Sequence, residues 1–150
     1  MSTARERIAL PDEVALAAFA RDVALRLPPG SLLVLTGPLG AGKTSFVRHL
    51  AAAMGSDAAV TSPTYALVHE YPSPVGTLVH VDAYRLADAA ALHALGLDDA
   101  RERAHLTVVE WGEPLLDDPT ALHLALDRAG PNGGALHGAT WLRPPPAQAR

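Results

Sequence analysis

Six residues of β-forming character, Ser31 to Thr36, run directly into Gly37-Pro38-Leu39-Gly40-Ala41-Gly42-Lys43-Thr44, and from Lys43 to Met54 the pattern becomes helical. No other stretch restricts the fold as strongly. The glycines let the backbone turn tightly and direct successive N–H groups inward, forming an anion-sized concavity that no side chain obstructs. The helix begins at that concavity. Its unpaired N–H groups and the positive end of its dipole, worth about 0.3–1 kcal/mol per anion at exposed sites, therefore face the same point. The order G-x-x-x-x-G-K-[ST] is that of the phosphate-binding P-loop, in which the lysine supplies charge to the β- and γ-phosphates and the hydroxyl ligates Mg²⁺. Lys43 is the only lysine in the chain, and every other basic residue apart from histidine is arginine. A compact ammonium thus stands where the loop needs a point charge and not a planar fork.

A strand, a loop of this kind and a helix in succession predict an α/β protein. The expected fold is the three-layer P-loop NTPase architecture, with a mostly parallel central sheet, antiparallel hairpin additions and flanking helices. At 150 residues the chain is long enough for one domain with a core and too short for a sizeable second one. That domain is expected over residues 1–143, with 144–150, opening on Pro144-Pro145-Pro146, as a disordered tail. Hydrophobic residues make up 49% of the chain and aromatics 5%, so Leu, Val and Ala should build the core. A net charge of −4 and a pI near 5.9 argue against binding nucleic acid by the chain's own electrostatics, leaving it to be reached through a partner. The absence of cysteine excludes disulfides, a thiolate nucleophile and Cys-based metal sites. Met1 to Glu6 lacks the apolar core of a signal peptide, and no apolar run approaches the ~20 residues of a membrane span. A cytoplasmic location, no membrane and an isolated monomer are expected.

In chain order, Arg5 to Leu10 predicts a short edge strand stopped by Pro11. Asp12 is the expected N-cap of a helix carrying Leu16, Phe19, Val23 and Leu27 on one face and ended by Pro28-Pro29-Gly30. After the phosphate loop, Phe46, Val47, Leu50 and Met54 point inward and Gly55 terminates the helix. Tyr65 to Tyr71 and Thr77 to Val81 read as an antiparallel hairpin. Asp88 is placed to cap a short helix with Leu92 and Leu95, and a charged, exposed helical piece spans Asp98 to Ala104. His105 to Trp111 forms an apolar strand with Glu110 near its end, and Leu122, Leu124 and Leu126 alternate along a half-buried one. Ala135 to Leu142 can pair back on it after a Gly-rich turn.

A P-loop needs a second carboxylate for Mg²⁺, at the C-terminal end of an apolar strand beside the loop's own strand. Leu78-Val79-His80-Val81-Asp82 offers Asp82, and Leu106-Thr107-Val108-Val109-Glu110 offers Glu110; the pattern alone does not rank them. Ser62-Pro63-Thr64 has the form of a switch able to sense a γ-phosphate, or of an ordinary proline turn. Among the histidines only His80-x-Asp82 has metal-like proximity, and a satisfied sheet histidine is the preferred reading. Arg85, three residues after Asp82, is the arginine best placed to offset charge on a transferred phosphoryl group.

Leu39-Gly40-Ala41-Gly42-Lys43-Thr44, Ser62-Pro63-Thr64-Tyr65, His80-Val81-Asp82-Ala83-Tyr84-Arg85 and Val109-Glu110-Trp111 occur in this order over about residues 8 to 128. In order and spacing they resemble the TsaE family, bacterial P-loop ATPases of tRNA threonylcarbamoyladenosine (t6A) biosynthesis. The resemblance implies ATP and Mg²⁺ as cofactors, TsaB and TsaD as partners, and tRNA contacted only through their complex. It makes Thr44 and Glu110 the metal ligands, Gly40 to Thr44 the phosphate cradle and Asp82 a residue needed for turnover. The expected nucleotide contacts are Gly37, Leu39, Gly40, Ala41, Gly42, Lys43, Thr44, Ser45 and Trp111, with Asp82, Lys43 and Arg85 as catalytic candidates. Three positions depart from the family's usual pattern: Pro38 stands in place of Asp, Gly112 in place of Pro, and Asp12-Glu13-Val14 lacks a Thr.

Two rival readings are a small-molecule kinase and a nucleotide-gated binding module. The kinase would need an arginine-bearing lid, for which only Arg101 and Arg103 are available. A GTPase is excluded, because its base-reading Asn/Thr-Lys-x-Asp motif requires a second lysine.

Overall fold

A computed structural model describes residues 6–38, 41–57, 68–83, 90, 94, 96–128 and 137–146. Its centre is β2 (Ser31–Thr36), whose residues Leu32 to Leu35 are buried on both faces. A strand without a solvent face cannot alternate apolar with polar residues, which is why this one reads as a continuous apolar run. β2 pairs in parallel with β5 (Ala104–Glu110) on one side and β6 (Ala121–Arg128) on the other. Outside β5 lies β4 (Thr77–Asp82), parallel, followed by β3 (Val68–Tyr71), antiparallel to β4. Outside β6 lies β7 (His137–Arg143), antiparallel, and β1 (Arg7–Leu10) pairs antiparallel with β7 at the edge. The sheet order is β1-β7-β6-β2-β5-β4-β3. Four parallel strands therefore end together, and the loop after β2 lies among the ends of its neighbours.

The pleat sends alternate residues to two cores. Leu33, Leu35, Val108 and Leu124 pack against α1 (Glu13–Arg26) and α2 (Lys43–Ala53), where Phe19 and Phe46 meet at a ring separation of 5.9 Å. On the opposite face Leu32, Val34, Val79, Val81 and Val109 meet Leu97 and Ala100 of α3 (Leu97–Arg103) and Leu115 of a 3₁₀ turn, Glu113–Asp117. The result is a mixed α/β sheet with helices packed against it. Among the described residues no helix is long and apolar enough to cross a membrane.

The expected edge strand, first helix, hairpin and final strand are all present. Two expectations need correction. The charged piece after residue 98 is not simply exposed: its helix starts at Leu97, and Leu97 and Ala100 are buried on β-strand residues that its charged sequence concealed. Within residues 144–150, expected as a disordered tail, Pro145 is instead buried and Pro146 lines a cleft with Pro28, Pro29 and Leu122. Proline loses little entropy on ordering, so a Pro run can pack without regular hydrogen bonds. The expected strand residues 65–67, the helix capped by Asp88, and residues 147–150 lie outside the described residues.

Asp12 caps α1 as its sequence predicted, its side chain accepting the Ala15 N–H at 2.8 Å. Asp12→Ala should cost about 1 kcal/mol in urea unfolding, whereas Asp12→Asn should be close to neutral because asparagine caps equally well. Equal losses in the two variants would remove the capping role.

Candidate functional site

Gly37 leaves β2 at φ 144°, a conformation that L side chains rarely adopt, and a Cβ there would overlap the Leu126 carbonyl oxygen of β6. Only glycine satisfies both the turn and the close approach. Gly42 caps α2 from the left-handed region at φ 94°, with no side chain bonded to the helix's first N–H groups. A glycine N-cap offers these groups no side-chain acceptor. Pro38 lacks a backbone donor, yet its carbonyl accepts from the Ala41 N–H at 3.1 Å. Leu39 and Gly40, both expected phosphate contacts, lie outside the described residues.

Lys43 is buried, at 5% exposure, although it carries the chain's only ammonium side chain. Its Nζ donates to the Gly37 carbonyl at 2.6 Å and the Pro38 carbonyl at 2.9 Å, and it lies 4.3 Å from the centre of the Trp111 ring. Burial pushes the Lys43 pKa below its ordinary value, while the negative charges of Glu110, Asp82 and Glu113 act in the other direction. Trp111 reaches this position by adopting φ 59° immediately after β5. The left-handed region costs a non-glycine residue on the order of 1 kcal/mol or more. The turn is held by the Trp111 N–H donating to the Leu35 carbonyl at 3.2 Å, and it lays the indole against the ammonium, a cation–π contact.

Glu110 ends β5 and is itself buried, at 4% exposure. Thr44, at the first turn of α2, donates its hydroxyl toward both carboxylate oxygens at 3.3 Å. His80 Nε2 lies 2.5 Å from Glu110 Oε2. The parallel register pairs Asp82 with Glu110, and the Ala83 N–H donates to the Glu110 carbonyl at 2.9 Å, so both strand ends stop at one level. A hydroxyl and carboxylate oxygens suit a hard cation such as Mg²⁺, which takes few protein ligands and completes its shell with water and phosphate. Among the described residues no three His, Asp or Glu side chains cluster to enclose a metal by themselves.

On the α1 side of the loop a cavity of about 260 Å³ is lined by Leu10, Leu16, Gly42, Ser45, Leu126 and His137. Glu13 and Ala41 complete its lining, so Leu10, Leu16 and Leu126 share it with polar groups.

The structure thus brings together Gly37, Ala41, Gly42, Lys43, Thr44, Ser45, Asp82, Glu110 and Trp111. Arg85 and Ser62-Pro63-Thr64 fall outside the described residues. Arg101 and Arg103 are ion-paired elsewhere, to Asp118 at 3.2 Å and Glu70 at 3.4 Å. They lie on the helix leading into the start of β5, at the opposite end of that strand from Glu110. Sequence reasoning missed the bond from His80 to Glu110. The available signal was the two-residue period that puts His80 on Asp82's face of β4, but using it required knowing that β5 is the neighbour.

The fit around Gly37 is open to test. Gly37→Ala should lower stability by at least about 2 kcal/mol in urea unfolding, combining φ strain with the clash at Leu126. A loss below about 0.5 kcal/mol would mean that the loop does not leave β2 in this way.

Comparison with known proteins bears on the same residues. The family described as threonylcarbamoyl adenosine biosynthesis protein TsaE matches residues 10–132. A tRNA threonylcarbamoyladenosine biosynthesis protein TsaE from Mycobacterium tuberculosis is 40% identical over 127 residues, covering 77% of this chain and 74% of that protein. The protein of the same name from Streptomyces coelicolor is 43% identical over 115 residues, 73% of this chain and 76% of its own. The crystal structure of Bacillus subtilis YdiB superposes with a TM-score of 0.71 at 27% identity, covering 93% of this chain and 87% of that one. The chain belongs to the TsaE family of tRNA threonylcarbamoyladenosine biosynthesis proteins.

Proposed function

We propose that this chain is the ATP-binding and ATP-hydrolysing component of bacterial tRNA t6A37 modification, a cytoplasmic P-loop NTPase domain over residues 1–143 that acts with TsaB and TsaD. The observation that carries this reading is the 3.3 Å approach of the Thr44 hydroxyl to both oxygens of buried Glu110, at the mouth of a glycine loop that holds the only lysine. In this reading Thr44 and Glu110 would hold Mg²⁺, which would supply positive charge to offset that of the phosphates.

The chain's own residues do the rest. Lys43 gives up the Gly37 and Pro38 carbonyls for phosphate oxygens, a change of acceptor that keeps the buried ammonium hydrogen-bonded throughout. Gly42 and Ser45 supply N–H groups around the start of α2, together with Leu39 and Gly40, while Ala41, whose N–H is held by the Pro38 carbonyl, shapes the loop around the phosphates. The nucleobase enters the cavity between Leu10, Leu16 and Leu126, and Trp111 closes the opposite side of the phosphates. Asp82, level with Glu110, serves turnover more than binding, and Arg85 offsets charge on the transferred phosphoryl group. tRNA is reached only through the partners, in keeping with the net charge of −4. The kinase reading loses support because Arg101 and Arg103 are paired away from the loop.

Mg-ATP should raise stability by about 2.7 kcal/mol at a hundred times its dissociation constant. A thermal melt reads this directly, and Lys43→Ala should lose most of the shift. Equal shifts in both proteins would remove the phosphate role of Lys43. Hydrolysis by the lone chain should be slow and should rise on adding TsaB and TsaD; a supplied arginine is worth a rate factor of ~10³–10⁵ in related enzymes. Asp82→Asn should lower the stimulated rate while sparing nucleotide affinity. Fast hydrolysis unaffected by the partners, or transfer to a small-molecule acceptor, would favour the kinase.

A further inference from the structure

We propose that His80 is a positioning residue for the metal carboxylate: it holds one oxygen of Glu110 so that the other is presented to the cation. This rests on the reading of Glu110 as a Mg²⁺ ligand.

His80 is fully buried in β4, with no exposed surface. Its Nε2 lies 2.5 Å from Glu110 Oε2, while its Nδ1 is buried without a hydrogen-bond partner among the described residues. A carboxylate can only accept, so Nε2 is the donor in this pair, and it is spent on Glu110. A leucine at this position would fill space in the sheet without leaving a nitrogen unpaired, so packing alone does not call for histidine.

The register explains the reach. Asp82 pairs with Glu110, and His80 pairs with Val108 one pleat repeat earlier on the same face. The imidazole thus extends diagonally toward the strand end. On its other side Tyr71 packs against it at a ring separation of 6.2 Å, and the Tyr71 hydroxyl lies 3.0 Å from His69 Nδ1. His69 is the register partner of His80 across β3 and β4. Two strands therefore fix the ring that fixes the carboxylate.

Thr44 cannot do this alone. Its one hydroxyl proton is shared between two oxygens at 3.3 Å each, longer than a well-formed O–H···O bond. That same hydroxyl oxygen is the other proposed metal ligand. His80 is the donor that remains on Glu110 when Thr44 turns toward the cation. Groups that hold a ligating side chain from behind typically account for a 10–100-fold effect on metal affinity.

The test measures ADP affinity by calorimetry with and without Mg²⁺, in wild type, His80→Leu, His80→Gln and Glu110→Gln. His80→Met serves as a second apolar variant should the leucine protein fail to fold. The apolar variants should lose about 10-fold or more of the affinity gained from Mg²⁺, with Mg²⁺-free affinity within about twofold of wild type. His80→Gln, whose amide nitrogen can take the place of Nε2, should recover most of that gain. The inference is overturned if the apolar variants keep the full Mg²⁺ gain. It is also overturned if they lose affinity equally with and without the metal, or if glutamine does no better than leucine. A lost gain in Glu110→Gln with an intact one in the apolar variants would overturn this inference alone. An intact gain in Glu110→Gln would overturn the metal-ligand reading beneath it.

Discussion

One buried ammonium organises the site. Lys43 has left water for a position where its only described acceptors are two carbonyls of the loop that precedes it, with the face of Trp111 alongside. An isolated buried charge costs several kcal/mol, so each neighbour contributes to keeping Lys43 inside. Gly37 and Pro38 provide carbonyls because the chain turns sharply out of β2, and that turn exists because glycine allows the Leu126 carbonyl to come close. Trp111 accepts a strained backbone to lie against the ammonium. Such strain persists only when its surroundings over-determine it, as the hydrogen bond to Leu35 and the Lys43 contact do here.

The second buried charge, Glu110, is answered differently. Its described bonds come from Thr44 on the helix and His80 on the neighbouring strand, and neither is a lysine or an arginine. Lys43 and Glu110 therefore stand near one another without pairing directly, one facing the loop's carbonyls and the other facing Thr44.

Much of this was legible before any coordinates. The apolar run of β2, the glycine loop and the amphipathic α2 specify their local structure through short-range physics, as does Asp12 at the start of α1. Thr44 and the two candidate carboxylates could be named for the same reason. What stayed hidden depends on which strands are neighbours. Only the order β2-β5-β4 sets Glu110 between the loop and Asp82, and only the β4–β5 register brings His80 to its carboxylate. The buried side of α3 was hidden by its charges, and the packing of Pro145 by the expectation that a proline run has nothing to pair with. The left-handed Trp111 has no sequence signal, since nothing in the residue type favours φ 59°.

The central claim is that Lys43 moves from loop carbonyl oxygens to phosphate when nucleotide binds, and Trp111 is positioned to report it. Intrinsic fluorescence should be followed during titration with Mg-ATP in wild type, Trp111→Phe and Trp141→Phe, these being the only two tryptophans. The account predicts an emission change in wild type that persists in Trp141→Phe and vanishes in Trp111→Phe. A change that survives in Trp111→Phe and disappears in Trp141→Phe would place the nucleotide away from this strand end and contradict the account.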